Sequence, residues 1–197
     1  MSAVSTRLLS LDDVPELTAL GVANREFLAP WSPATSDAFF TEDGQHALVL
    51  DALSKHALGL AYPAVIVDVD GALAGRINLN SVTRGAAQFA SVGYWVAQSR
   101  NGRGVATAAV ASMLDVAFGE LALHRVQGET LPENRASQVV LERNGFERIG
   151  FAPRFLRIAG QWRDHVLYQR VNDEWTPPVR PGAGSRFPVT GDQARPG

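Results

Sequence analysis

The clearest pattern of apolar and polar positions along the chain is helical and lies between Gly104 and Gly119. Apolar residues recur there at spacings of three and four, which places them on one face of an amphipathic helix. These residues are Val105, Ala108, Ala109, Met113, Val116 and Ala117. The sequence therefore predicts a long helix with one buried face over this segment.

Strand patterns lie on both sides of that helix. Asp70-Gly71 and Ala159-Gly160 are turn dipeptides between apolar runs, and each predicts a hairpin. Runs of alternating or β-branched residues, together with those turns, give seven strands. The predicted strands are 6–10, 64–68, 72–79, 88–96, 124–130, 146–158 and 161–171.

Capping residues bound the remaining helices. Asp12 or Asp13 is expected to cap a helix from Val14 to about Arg25. The predicted helices are 14–25, a mostly helical region opened by Ser36 or Asp37 and reaching about Leu58, 104–119, and a short helix between Asn134 and Gly145. The resulting order mixes an antiparallel half with a β-α-β-α half. We therefore predict an α/β (α+β) fold with a mixed sheet of about six to seven strands flanked by helices.

Composition narrows the class of protein. The chain has 197 residues, of which 46% are hydrophobic and 19% are charged, as expected of one globular domain with a full core. A net charge of −2 argues against nucleic-acid binding through bulk electrostatics, so no direct nucleic-acid contact is expected. The absence of cysteine excludes disulfides, thiolate metal sites and a cysteine nucleophile.

The two ends of the sequence differ in character from the middle. Residues 1–17 hold one basic residue followed by acidic ones, so no signal peptide is expected, and no run approaches the about 20 apolar residues of a membrane span. We therefore expect a cytoplasmic protein. Residues 176–197 contain five of the chain's 11 prolines. We expect one domain over 1–175, followed by a disordered Pro/Gly-rich tail.

A strand runs directly into a Gly-x-Gly turn at the start of the long helix. Gly102 and Gly104 let the backbone direct N–H groups to one point, and the helix dipole adds partial positive charge there. Arg100 and Arg103 add full charges. Thr107 stands where a Rossmann motif needs its third glycine, and no Gly-Lys-Ser/Thr follows as in a P-loop. The pattern predicts a phosphate or pyrophosphate site.

This turn resembles that of the GNAT acetyltransferases. In that family a (Gln/Arg)-x-x-Gly-x-Gly/Ala segment holds the pyrophosphate of acetyl-CoA, and Gly102 and Gly104 match its glycines. Ser99 stands at its first position, so Arg100 or Gln98 is the candidate substitute there. The resemblance implies the GNAT fold, acetyl transfer and acetyl-CoA as co-substrate.

A second stretch similar to this family begins at Asn134. Asn134 and Ser137 match its Asn-x-x-Ser pattern, and Gly145-Phe146 matches the Gly-Phe after the following helix. The resemblance covers roughly residues 6–175 and implies which residues contact acetyl-CoA. They are Val96, Arg100, Asn101, Gly102, Arg103, Gly104, Val105, Ala106, Thr107, Asn134 and Arg143.

Within this family, the chain looks closest to the RimJ/RimL group, and to the RimJ type in particular. The stretches that carry this likeness are 24–33, 92–94, 124–126 and, most specifically, 160–167 (Gly-Gln-Trp-Arg-Asp-His-Val-Leu). RimJ-type enzymes acetylate the N-terminal alanine of a small-subunit ribosomal protein. The resemblance therefore implies a primary amine as acceptor, most of all such an N-terminal alanine.

The resemblance also implies catalytic roles. The backbone N–H near Val96 is expected to polarise the thioester oxygen, and Ser137 to protonate the leaving thiolate; otherwise Ser137 is an ordinary polar residue of a first helical turn. An α-amino group titrates near about 7.7–8.0, so a weak base is enough. Glu129 is one candidate base, with a solvated strand-end carboxylate as the alternative. Glu26 is another candidate.

Aromatic residues at a Pro-rich corner suggest a substrate groove. Phe27, Trp31 and Tyr94, together with Glu26, are candidates to line it, although such aromatics are often core residues. The four histidines have no metal-ligand spacing, so no metal is predicted.

Two alternative functions stay open at this point. One is a GNAT enzyme that acts on a small amine such as an antibiotic, a polyamine or an amino acid. The other is a non-catalytic module that binds acyl-CoA or associates with ribosomes. The oligomeric state, monomer or homodimer, is also open.

Overall fold

A seven-stranded mixed sheet forms the centre of the computed structural model, which describes residues 3–177. The strands are β1 Ser5–Leu8, β2 Tyr62–Val67, β3 Leu73–Thr83, β4 Phe89–Val96, β5 Arg125–Thr130, β6 Glu147–Ile158 and β7 Gln161–Val171. They lie in the order β1-β2-β3-β4-β5-β7-β6, and only β4 and β5 pair in parallel. The predicted α/β fold and number of strands are confirmed.

Helices cover the sheet on both faces. They are α1 Val14–Ala23, α2 Arg25–Leu28, α3 Glu42–Ala57, α4 Val105–Asp115 and α5 Arg135–Arg143. A π-helical turn, Val116–Glu120, extends α4 to about the predicted end. Of the predicted tail 176–197, all but the first two residues lie outside the described residues.

The start of α1 differs from the prediction in its capping. Asp13 is the N-cap residue, but its side chain makes no capping bond to α1. Its carboxylate instead accepts hydrogen bonds from Arg7 and from the Ser10 backbone N–H, while the Ser10 hydroxyl accepts from the Asp12 N–H. A capping box thus closes the turn before α1, because an arginine of β1 draws the aspartate away from the helix.

Strand alternation divides the core into two layers. Ile77 and Leu79 of β3 are fully buried in the layer that packs on α4. Val49 and Val65 belong to a second, smaller layer formed with α1 and α3. Because successive side chains of a strand point to opposite faces, a polar set of β3 lies on the α1 and α3 side, and it consists of Arg76, Asn78 and Asn80.

Candidate active site

The turn between β4 and α4 has the backbone conformation that its glycines permit. Gly102 and Gly104 have φ angles of +74° and +79°, in the left-handed region that disfavours side chains. Gly104 is the N-cap residue of α4, and it has no side chain with which to cap this helix. The first N–H groups of an 11-residue helix are therefore left for a ligand.

Arg100 is anchored within the protein. Its guanidinium lies 2.7 Å from the Asp68 carboxylate and 2.7 Å from that of Asp70. The hydrogen bond from Arg100 lowers the pKa of the Asp70 carboxyl. The sequence predicted that the positive charge of Arg100 would face a phosphate, but two carboxylates of the β2–β3 turn already neutralise that charge. Arg100 nevertheless borders the cavity beside the glycine turn.

β4 and β5 separate beside the same turn. Their parallel pairing ends at Ser91 and Gln127, although both strands continue. On the other edge of β4, the Ala97 N–H donates to the Ala74 carbonyl at 2.8 Å. Since N–H groups alternate in direction along an antiparallel strand, the Val96 N–H points away from β3 and into the gap. An N–H in this direction is available to a ligand in the gap.

Helix α5 borders the gap between β4 and β5, across from the glycine turn and α4. Asn134 caps it as predicted, since its side chain accepts a hydrogen bond from the Ser137 N–H at 3.1 Å. At the other end of α5, the Asn144 amide donates to the Thr107 carbonyl of α4. The two helices that border the gap are thereby held together.

A cavity of about 610 Å³ joins the glycine turn, the gap and α5, and we call it the main cavity. Most of the residues predicted from the sequence line it. These are Val96, Arg100, Asn101, Gly102, Gly104, Val105, Ala106, Thr107, Asn134, Ser137 and Arg143, with Phe27, Trp31 and Tyr94 on the proposed acceptor side. Segments far apart in the chain thus converge on one space.

Three predicted site residues do not line this cavity. Arg103 and Glu26 are exposed and stand outside it. Glu129 lies on β5 and accepts hydrogen bonds from the Ser91 hydroxyl at 2.8 and 2.7 Å. Burial raises the pKa of the Glu129 carboxyl, and the bonds from Ser91 oppose that rise. Glu129 is thus an ionisable group at the base of the gap.

Two hydroxyl groups meet inside the main cavity. The Tyr94 hydroxyl lies 2.9 Å from the Ser137 hydroxyl and donates to the Ser137 carbonyl at 3.3 Å. Burial raises the pKa of Tyr94 to about 12, with the Ser137 hydrogen bond acting in the opposite direction. At neutral pH the tyrosine is protonated, so this pair can supply protons or hydrogen bonds but no anionic base.

Sequence reasoning missed part of the lining. Leu28, Trp95, Arg135, Ala136, Val139 and Val140 also border the main cavity. The helical spacing of Ala136, Val139, Val140 and Arg143 places them on one face of α5, so periodicity carried a usable signal for these positions. Leu28 and Trp95 had no comparable signal.

Asn24 connects the Pro-rich corner to the glycine turn. Its side-chain oxygen accepts from the Gln98 N–H at 2.8 Å, and its amide donates to the Leu20 carbonyl at 2.8 Å. Asn24 is buried, so both bonds are made away from water. The corner that bears Phe27 and Trp31 is thereby fixed to the end of β4.

Within residues 3–177, no three histidine, cysteine or acidic side chains cluster as metal ligands would. Across the same described part of the chain, none of the helices has the length and apolar character needed to cross a membrane.

Comparison with known proteins agrees with this geometry. A family model described as the acetyltransferase (GNAT) domain matches residues 5–147. The Escherichia coli [ribosomal protein uS5]-alanine N-acetyltransferase is 31% identical over 172 residues, which are 87% of this chain and 89% of that protein. A Bacillus subtilis protein, the probable N-acetyltransferase YjcK, is 32% identical over 172 residues, or 87% of this chain and 95% of its own.

A solved structure shows the same architecture. Mycobacterium smegmatis RimJ, in complex with CoA-disulfide, superposes with a TM-score of 0.84 at 34% identity, covering 88% of this chain and 84% of that one.

Proposed function

Since the chain belongs to the GNAT family of acetyltransferases, we propose that it transfers the acetyl group of acetyl-CoA to the N-terminal α-amino group of an alanine in a ribosomal protein. The observation that carries the chemistry is the single cavity that joins the uncapped N-terminus of α4, the Val96 N–H and the hydroxyl of Ser137. The acceptor rests on the relatives, because two of them are named for acetylation of a ribosomal-protein alanine or as RimJ. Because ribosomes supply such an acceptor, the proposed enzyme is a cytoplasmic one.

The residues of the main cavity fit a CoA thioester. The backbone N–H groups at Gly102–Gly104 and the first turn of α4 would hold its diphosphate, and Asn134 would contact the pantetheine arm. The Val96 N–H would donate to the thioester oxygen, where negative charge grows in the transition state. These groups are fixed before the substrate arrives, so little reorganisation is needed during the reaction.

The reaction moves one proton from the amine nitrogen to the thiolate sulfur. The C–N bond forms as the C–S bond breaks, and the Ser137 hydroxyl donates its proton to the leaving sulfur while Tyr94 hydrogen-bonds to Ser137. Ser137 regains a proton, through solvent, from the nitrogen that becomes the amide. Glu129, whose carboxylate lies at the base of the gap, accepts the ammonium proton through an intervening water. Phe27 and Trp31 border the path by which the acceptor enters.

An assay of thiol release tests the acceptor. With acetyl-CoA, we expect the enzyme to release free CoA on adding a short peptide that starts with alanine, and not on adding the same peptide with a blocked N-terminus. A polyamine serves as the small-amine comparison. Release with the polyamine alone would redirect the proposal to small amines, and CoA binding without turnover on any amine would contradict an enzymatic role.

The pH dependence of the rate tests the role of Glu129. If the carboxylate is the base, kcat/KM falls as pH drops through its pKa, which burial raises above the ordinary carboxylate range. Glu129→Gln is expected to lower kcat/KM about tenfold near neutral pH and to remove that acidic limb. Ser91→Ala removes bonds that lower the pKa, so it is expected to shift the limb to higher pH. A rate profile from about pH 5 to about pH 9, which spans both the carboxyl and the amine titrations, measures both effects.

The raised pKa of Glu129 also predicts how Glu129→Gln changes the stability of the fold. A carboxyl whose pKa is raised in the folded state contributes stability below its unfolded pKa, and that contribution is lost as pH rises through the folded pKa. Glu129→Gln should therefore be no less stable than the wild type at neutral pH, which thermal denaturation checks. If kcat/KM of the wild type and of Glu129→Gln depended on pH in the same way, Glu129 would not be the base.

A further inference from the structure

A second cavity, of about 200 Å³, lies between α3 and the polar set of β3. Arg76, Asn78 and Asn80 border it on the sheet side, and Asp51 and Lys55 border it on the helix side. Asp51 and Lys55 pair with each other at 2.6 Å and are both exposed. Because the charges of Asp51 and Lys55 cancel, the residues that line this cavity carry a net positive charge, which is that of Arg76.

Arg76 lies in the sheet without a direct partner among the residues that the structure describes. Its Nε atom is buried and has no hydrogen-bond partner, and within residues 3–177 its guanidinium forms no ion pair. Burial lowers the pKa of Arg76, and only Asp13 opposes this. Asp13 is already bound by Arg7 and the Ser10 N–H. A guanidinium in this state favours an added anion, since a buried charge is costly when unpaired.

Asn78 has a buried hydrogen-bond acceptor that lacks a donor within residues 3–177. Its side-chain oxygen is buried and has no hydrogen-bond partner in the described part of the chain, and Asn78 lies two positions from Arg76 on the same face of β3. Arg76 therefore needs an acceptor, and Asn78 needs a donor. An acidic amino-acid residue within a polypeptide supplies both, a carboxylate for Arg76 and a backbone N–H for Asn78.

The second cavity lies on the α1 and α3 side of the sheet, and residues of β4 connect it to the main cavity. Arg76 pairs across the strands with Trp95, which lines the main cavity. Asn78 pairs with Gly93, and the Asn80 amide lies over this glycine, 3.3 Å from where a Cβ atom would be. The distance from the Val96 N–H to Asn78 is on the order of 10 Å, which equals about three residues of extended peptide at ~3.3 Å each. A chain whose N-terminal amine reaches the thioester would bring its third or fourth residue to this cavity.

We propose that the second cavity is a specificity subsite in which Arg76 and Asn78 bind the carboxylate side chain of an acidic residue at position three or four of the acceptor polypeptide. This rests on the proposed acetylation of a polypeptide N-terminus. It adds a sequence requirement that the main cavity does not impose.

Binding measured without turnover tests the subsite apart from the proposed reaction. Peptides with an N-terminal alanine and either glutamate or glutamine at position three or four are titrated into the enzyme saturated with CoA, which has no acetyl group to transfer. The wild type is expected to bind the best glutamate peptide about tenfold more tightly than its glutamine counterpart. Arg76→Gln should remove this preference.

Asn78→Asp provides a second variant of nearly the same shape. Its new carboxylate would pair with Arg76 and repel the acidic side chain of the peptide, so the preference should again disappear. Arg148→Gln is the matched control, because it removes an exposed arginine of β6 and should keep the preference. Thermal denaturation of each variant shows whether it is folded.

Several outcomes would overturn the proposal. Equal affinities for the glutamate and glutamine peptides, a preference that survives Arg76→Gln, or binding of neither peptide would each do so. Glutarate serves as the free carboxylate. If it binds through Arg76 while the peptides show no preference, the cavity takes a free carboxylate and the acceptor subsite is wrong. A glutamate preference without any acetylation of these peptides would support the subsite and count against the proposed reaction.

Discussion

Gly104→Ala is expected to raise the KM for acetyl-CoA about 100-fold, the equivalent of roughly 2.7 kcal/mol of binding free energy. Gly104 has a φ of +79°, and a Cβ atom at this position would meet no atom of residues 3–177 within 4 Å. The methyl group would therefore project into open space at the start of α4, where the diphosphate is proposed to lie. The left-handed conformation alone should cost about 1–2 kcal/mol of folding stability.

Gly85→Ala is the matched control for this variant. Gly85 has a φ of +71°, and an added methyl group would likewise meet no protein atom within 4 Å, but this glycine lies between β3 and β4, outside the main cavity. Both variants should lose similar stability in thermal denaturation, whereas steady-state kinetics should show a raised KM only for Gly104→Ala. An unchanged KM in Gly104→Ala would mean that this turn does not hold the diphosphate.

Ser137→Ala is expected to lower kcat about 100-fold with little change in KM, because the leaving thiolate loses its proton donor only in the transition state. Ser137→Thr keeps a hydroxyl at this position and should recover part of the rate. Single-turnover measurements with saturating acetyl-CoA separate the chemical step from product release.

Tyr94→Phe distinguishes the roles of the two hydroxyls. Since Tyr94 is proposed to act through Ser137, its loss should lower kcat about tenfold, and the double variant should be no slower than Ser137→Ala. A normal kcat in Ser137→Ala together with a large loss in Tyr94→Phe would identify the tyrosine as the direct proton donor.

The elements of this fold were largely predictable because their signals are local. The Asp70-Gly71 and Ala159-Gly160 turns, the apolar face of α4 and the cap at Asn134 each depend on neighbouring residues, and each appears in the structure. The order of strands was not predictable in this way. β7 inserts between β5 and β6, and this pairing depends on contacts between distant parts of the chain.

The candidate site divides in the same manner. The glycine turn was predictable because two glycines directly before a helical pattern indicate positive φ angles and a helix start without a side-chain cap. The Tyr94–Ser137 hydrogen bond joins residues 43 positions apart, and no local pattern indicates it. The unpartnered state of Arg76 was likewise invisible, since it depends on Asp13 being taken by Arg7.

The anchoring of Arg100 by Asp68 and Asp70 has a consequence for the rate of association. Two carboxylates of a hairpin turn hold the residue that precedes Asn101 and the glycines, so the shape of this loop is set when the chain folds. The conformational entropy of the loop is then lost during folding rather than on encounter with the nucleotide. Association can therefore proceed without a slow rearrangement, and differences in affinity among related nucleotides should appear mainly in how quickly they leave.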